Sequence, residues 1–279
     1  DVSVRRVKAI KFGAGSSGLE CNVIALDVGN ADERLGTIED CIVTQPGDNT
    51  GINYPSGVPL IICFALGPRY VTGWKGRGGL VRGNTIAHLP FTGPGGGQRS
   101  PLRAICFAGS LGARIAENQV TNFDGACVWS ELGDDENVVV ESNRFINVNI
   151  GIYLTGPAGP THTSIGARLR GNVIVLGKAA PSSVVWEGRL YGVWCKFSDT
   201  IYSFLKDCWV QQNFVRGTTL DGNVPVGVKL EDMAASTLSS YHIEDNVLDV
   251  PDPVAPAGGF GIAYENAIVF SPDTISPAG

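Results

Sequence analysis

The densest set of groups able to do acid–base chemistry is "SELGDDEN", residues 130–137, which holds Glu131, Asp134, Asp135 and Glu136. Glycoside hydrolysis needs two carboxyl groups flanking the scissile bond, one protonated and one ionised. Several carboxylates in a flexible loop can instead hold calcium, although this spacing is not that of an EF-hand. The plain alternative is a solvated acidic turn. A polysaccharide lyase would need an Arg or Lys base to take the proton beside a uronate carboxyl, with a cation to stabilise the charge that develops. Lys196, Lys206, Lys229, Arg114, Arg144, Arg168 and Arg170 are available for that role. The candidate catalytic set is therefore Glu131, Asp134, Asp135 and Lys196. Calcium is the one cofactor the acidic turn suggests, and the sequence requires none.

Other chemistries find less support. The histidines His88, His162 and His242 are far apart, and no Ser-His-Asp order stands out. Seven cysteines occur without a CxxC pair, which argues against a zinc site, and an odd number in a chain this long is not a disulfide framework. Most lie in apolar strands and read as small buried hydrophobes. "GAGSSG", Gly13 to Gly18, fits the dinucleotide GxGxxG, but the β-rich "LECNVIALDV" follows it where a helix is required.

Composition bounds the elements that must position these groups. Apolar residues make up 43% of the 279 and charged residues 17%, enough for a sizeable core. The 37 glycines and 16 prolines suit many short strands joined by turns. A net charge of −6 with no basic run gives nucleic acid no electrostatic footprint, and an acidic membrane surface none either. No apolar run approaches the roughly 20 residues that span a bilayer. The chain starts at Asp1 without a hydrophobic leader, as a mature form or an excerpt of a longer chain would.

The organisation is repetitive. "VRGNTI" at Asn84, "IAENQV" at Asn118, "VESNRF" at Asn143, "LRGNVI" at Asn172, "VQQNFV" at Asn213 and "IEDNVL" at Asn246 share the form apolar-x-x-Asn-x-apolar. "IEDCIV" places Cys41 where the asparagine would stand. The asparagines are 34, 25, 29, 41 and 33 residues apart, as a constant core with variable loops would give. Glycine followed by alternating apolar residues comes after most copies: "GACVW" at Gly125, "GIYL" at Gly151, "GVWCKF" at Gly192, "GVKL" at Gly227 and "GIAY" at Gly261. Such alternation is a strand with one buried face.

This pair of motifs, from about Val7 to about Tyr264, resembles the repeats of right-handed parallel β-helix proteins of the pectate-lyase-like superfamily. The resemblance implies a single all-β domain over residues 1–279, a solenoid of about nine coils and roughly 40 Å long. It also implies stacked asparagines at a tight bend, with Asn in the left-handed conformation it tolerates, and an extracellular, cell-surface or virion-surface location. Polygalacturonases of this class carry an Asn-x-Asp, an Asp pair about one coil later, Gly-His-Gly and Arg-Ile-Lys. Here "NFD" ends at Asp124, too close to Asp134-Asp135, and the two later motifs are absent.

Function on such a solenoid is expected on an outward stripe. If Ile152 and Leu154 point inward, Tyr153 points outward, and the same phase places Trp129, Glu131, Trp194, Lys196, Lys229 and Glu231 on that face. Aromatic rings beside charged groups suit a sugar polymer. The expected substrate-binding set is Trp129, Tyr153, Trp194, Lys229 and Glu231, with polysaccharide as the partner. The leading reading is a polysaccharide-engaging surface protein, with polysaccharide lyase or glycoside hydrolase as its candidate activity. The alternative is a non-catalytic structural, adhesin-like or phage-tail-like module.

Overall fold

Triplets such as Val139–Glu141 and Arg168–Arg170 place one apolar residue between two outward-facing neighbours, the pattern of a strand buried on one face. The computed structural model describes residues 2–10, 21–26, 36–44, 61–66, 76–87, 103–107, 109–130, 135–155, 163–177, 190–196, 204–218, 225–231, 240–250, 263–264 and 268–271. All regular structure among them is β. Val2–Arg5, Gly36–Glu39, Leu80–Arg82, Arg114–Ala116, Val139–Glu141, Arg168–Arg170, Cys208–Gln211 and Tyr241–Glu244 lie side by side in that order as an eight-stranded parallel sheet. Each is followed, after a short bend, by a strand of a second sheet of 15 strands. Both sheets advance by one neighbour per repeat, an arrangement compatible with a parallel β-helix.

The bend corrects one expectation. None of the six repeat asparagines has a positive φ; the residue before each one does. Gly83 (65°), Glu117 (58°), Ser142 (55°), Gly171 (62°), Gln212 (54°) and Asp245 (54°) take the left-handed kink, as does Asp40 (54°) before Cys41. The kinked residues face solvent, apart from the half-buried Gly83, whereas Asn84, Asn118, Asn143, Asn172 and Asn213 are buried. Asparagine is needed here for its amide, not for its tolerance of positive φ.

The amides form a ladder. Asn143 Nδ2 donates to Asn172 Oδ1 (3.0 Å) and to the Ile115 carbonyl (2.9 Å), and its backbone N–H donates to the same Asn172 oxygen (3.1 Å). The pattern repeats from Asn84 through Asn118, Asn172 and Asn213 to Asn246. Cys41 continues it in part: its N–H donates to Asn84 Oδ1 (2.9 Å), while its thiol leans on the Glu39 carbonyl (3.3 Å). The "IEDCIV" copy therefore holds the ladder position with a weaker donor. A second, shorter contact of the same kind joins Asn147 Nδ2 to Asn122 Oδ1 (2.7 Å), where the two longest strands kink at positive φ.

Between the two sheets sits the core. Ile38, Val81, Ile115, Val140, Leu169 and Val210 from the first meet Val43, Ile86, Val120, Phe145, Ile174 and Val215 from the second. Full burial of each such side chain contributes roughly 1.5–3 kcal/mol. Among the cysteines whose side chains the structure describes, Cys41, Cys106, Cys127, Cys195 and Cys208 are all buried. Burial pushes the Cys127 thiol well above its ordinary pKa; Cys195 is raised by its hydrogen bond with Cys208 and by burial. These thiols are inert packing groups.

The glycine of the second motif has a steric cause. A Cβ on Gly151 would lie 2.5 Å from the Gly192 carbonyl oxygen, and one on Gly192 would lie 2.5 Å from that of Gly227. Backbone of the next repeat occupies the place of a side chain. The copy at Gly261 departs from the pattern: Ala263–Tyr264 runs antiparallel to Ile268–Ser271, and that later strand is the neighbour of Val226–Glu231. Cys21–Leu26, downstream of "GAGSSG", is a strand, while the glycine motif itself lies outside the described residues. No helix among the described residues is long and apolar enough to cross a membrane.

Candidate functional site

Five neighbouring strands of the larger sheet, Arg103–Phe107, Gln119–Ser130, Arg144–Thr155, Tyr191–Lys196 and Val226–Glu231, position the aromatic and cationic residues. Register fixes the row: Trp129 is paired with Tyr153, Tyr153 with Trp194, and Trp194 with Lys229. Ile152, Leu154, Val193, Cys195, Val228 and Leu230 belong to the core, so the row between them lies on the opposite face. It forms its own cluster there with Ala126 and Ile150.

The rings pack on one another. Tyr153 and Trp194 stack with centroids 4.3 Å apart and planes 22° from parallel. Trp129 tilts against Tyr153 at 5.0 Å, and Tyr191 meets Trp194 edge-on at 5.0 Å. Cations close both ends: Arg103 lies 3.9 Å above the Trp129 ring, and Lys229 Nζ is 5.6 Å from Trp194 and 5.0 Å from Tyr191. Lys196 Nζ is 5.9 Å from Trp194. Each such contact contributes about 0.5–2 kcal/mol. Lys229 also donates to the Tyr191 hydroxyl at 3.4 Å.

This packing changes what the row can do. Trp194 is 1% exposed and Tyr153 7%, so neither offers an open ring face for a pyranose to lie on. What remains accessible is the half-buried rim of Trp129, Tyr191, Lys196 and Lys229. Glu231 is the register partner of Lys196, and its side chain lies outside the described residues.

The acidic turn divides. Glu131 and Asp134 lie outside the described residues. Asp135 is 3% exposed and neither joins a groove nor meets solvent. Its carboxylate accepts the Ser110 backbone N–H (2.9 Å) and the Ser130 hydroxyl (2.5 Å), and its backbone carbonyl accepts the Ile165 N–H (2.8 Å). It ties three successive repeats together. Among the described residues no group of three or more His, Cys, Asp or Glu side chains is placed to hold a metal ion.

Two arrangements on the eight-stranded sheet lie outside the sequence expectations. Glu39 is clamped between Arg5 (2.8 Å) and Arg82 (2.7 Å), and Glu141 between Arg114 (2.5 Å) and Arg170 (2.7 Å). Burial pushes the Glu141 carboxyl up, but hydrogen bonds from Arg170 and Arg114 outweigh it and leave the pKa below the ordinary carboxylate value. Farther along, Trp209 stacks on His242 at 3.9 Å, lies 5.6 Å from the Arg168 guanidinium, and donates Nε1–H to Asp207 (2.7 Å). A signal for the first was present: the residue two places before each repeat asparagine is Arg82, Ala116, Glu141, Arg170, Gln211 or Glu244.

Comparison of the chain with protein-family models, curated proteins and solved structures found no match.

Proposed function

We propose that the chain is a right-handed parallel β-helix of about nine coils, resembling the pectate-lyase-like solenoids, that serves as a surface-exposed module engaging polysaccharide without cleaving it. The observation that carries this reading is the row Trp129–Tyr153–Trp194–Lys229 on the outer face of the larger sheet, rimmed by Tyr191 and Lys196. The buried rings form a rigid floor. The polar edges at its rim are suited to sugar hydroxyls, which need donors and acceptors held in place more than they need a ring face. Retention is preferred to hydrolysis because Asp135, the candidate catalytic carboxylate that the structure describes, is buried and bound to Ser110 and Ser130; lyase action through Lys196 is left to the test below.

The alternative, a purely structural rod, draws on one specific observation: Trp194 at 1% exposure is packed as a core residue would be. A polysaccharide array separates the two. With folding verified by circular dichroism, Tyr191→Ala and Lys229→Ala should each reduce retention several-fold on whichever polymer the native chain holds. No retention of any polymer by the native chain would leave the rod. New reducing ends or unsaturated uronates released from a bound polymer would overturn the non-cleaving part of the reading.

A further inference from the structure

The eight-stranded sheet carries a second outward surface: from Arg5 to Arg170 its two outward columns hold five arginines against two glutamates in a chain of net charge −6, with the solvent-facing Asp40 and Glu117 along one border. Register aligns one column as Arg5, Glu39, Arg82, Ala116, Glu141, Arg170, Gln211 and Glu244. The adjoining outward column contains Arg114, Arg168, Trp209 and His242. At ~4.8 Å per strand, Arg5 to Arg170 covers about 24 Å.

Depth sorts these charges by sign. The side chains of Glu39 and Glu141 are 5% and 10% exposed, while those of Arg5, Arg82, Arg114 and Arg170 are 63%, 48%, 54% and 51% exposed. Each carboxylate lies beneath the two guanidiniums that clamp it, so each triad keeps one net positive charge and shows it outward. Glu141, with its lowered pKa, stays ionised at neutral pH and holds its pair of arginines in place. Arg114 and Arg170 each spend Nε–H and one terminal amino group on Glu141. A guanidinium has five N–H donors, so donors remain for an oxyanion from outside.

We propose that this arginine strip binds an anionic polysaccharide, one that carries carboxylate or sulfate groups at intervals along a hydroxyl-rich backbone. The inference rests on the polysaccharide reading above but assigns a different face of the molecule. The strip is cationic in two triads, Arg5–Glu39–Arg82 and Arg114–Glu141–Arg170, with Arg168 beside the second and uncharged Ala116 between them in the column. Spaced anions joined by neutral units match that interruption. A nucleic acid matches it poorly, since its charge is continuous and its bases need ring faces. Both faces of Trp209 are taken, by His242 and by Arg168.

Dextran sulfate, carboxymethyl dextran and unmodified dextran share one backbone and differ only in charge, which makes them suitable probes in affinity electrophoresis with the full chain. The expected result is retention by one or both charged dextrans but not by the neutral one, weakening as salt rises. Which charged polymer binds decides between sulfate and carboxylate. Arg168→Gln removes a strip charge without uncovering a buried carboxylate and should weaken retention several-fold; Arg82→Lys, which keeps charge but loses the fork, should weaken it less than Arg82→Gln. Equal retention by Arg168→Gln, Arg82→Gln and the native chain overturns the assignment. Loss confined to Tyr191→Ala and Lys229→Ala overturns it while leaving the polysaccharide reading intact. Equal retention of a polynucleotide, or a dimer by light scattering that Arg168→Gln dissociates, overturns it too.

Discussion

Two lines of side chains, which share the strands Gln119–Ser130 and Arg144–Thr155, hold neighbouring repeats in register by different physics. Arg144–Thr155 begins one residue after Asn143 and carries Tyr153 near its far end; Gln119–Ser130 begins one residue after Asn118 and carries Trp129. At the inner end, each amide donates to and accepts from its neighbours with directional bonds of 2.9–3.0 Å. At the outer end, rings meet one another at 4.3–5.0 Å and cations lie over them at 3.9–5.9 Å, without a donor assigned to each acceptor. The ladder is all-or-none at every step, because a missing amide strands groups on both neighbours. The aromatic row is graded, because a smaller ring still covers part of the surface.

Truncation at the centre of the row should have the largest effect. Trp194 heads the largest fully buried side chains, and Trp194→Ala should cost about 3–5 kcal/mol by urea unfolding. Trp194→Phe should recover a large part of that loss. A cost for the alanine variant no greater than that of an exposed residue would show that the row covers the surface without stabilising it, and the comparison would collapse.

The ladder should break more sharply for its size. Asn172→Ala leaves the Asn143 backbone and side-chain N–H groups without the oxygen that accepts both, and leaves the Val140 carbonyl without its donor. Orphaned buried groups cost about 1–3 kcal/mol each, partly relieved by relaxation, so a loss of about 3 kcal/mol is expected by chemical denaturation. Here no partial rescue is expected: Asn172→Leu, though larger and apolar, should be no better than alanine. A leucine variant close to native stability would mean that the ladder is held by packing, as the aromatic row is.

The contrast also explains what could be read from the sequence. The ladder was legible because directional bonding admits almost no substitute for asparagine, so the six copies agree by residue type at Asn84 to Asn246. The glycine strands were legible for an equally strict reason, the close approach of backbone at Gly151 and Gly192. The phase that puts Tyr153 and Trp194 on the outer face followed from alternation alone, but their burial did not, because alternation gives direction and not what covers a side chain. Asp135 misled for a related reason. Its partners Ser110 and Ser130 are reached through backbone geometry and a neighbouring repeat, and no local motif announces them. The kink at Ser142 and Glu117 was hidden by a conspicuous neighbour: the eye goes to the asparagine, while the conformational work is done one residue earlier.

The smallest effect, and the one that tests the ladder from the opposite direction, is a gain. Cys41 holds the ladder position with its backbone N–H on Asn84 Oδ1, but its thiol lies 3.9 Å from the Val4 carbonyl, the place where each true ladder amide makes a bond near 3 Å. In Cys41→Asn the new Nδ2 has two acceptors already in place: Asn84 Oδ1, which in the other steps accepts two N–H groups, and the Val4 carbonyl. Asp40 already provides the left-handed kink that precedes such an asparagine. The substitution replaces a weak sulfur donor by an amide at a site 0% exposed, and a net gain of about 1 kcal/mol is expected in urea unfolding. Cys41→Ser, too short to reach Asn84 and Val4 together, should not show it. A loss of stability in Cys41→Asn would mean that the packing around Cys41 has closed over the space the amide needs, and that the ladder stops at Asn84 for steric reasons.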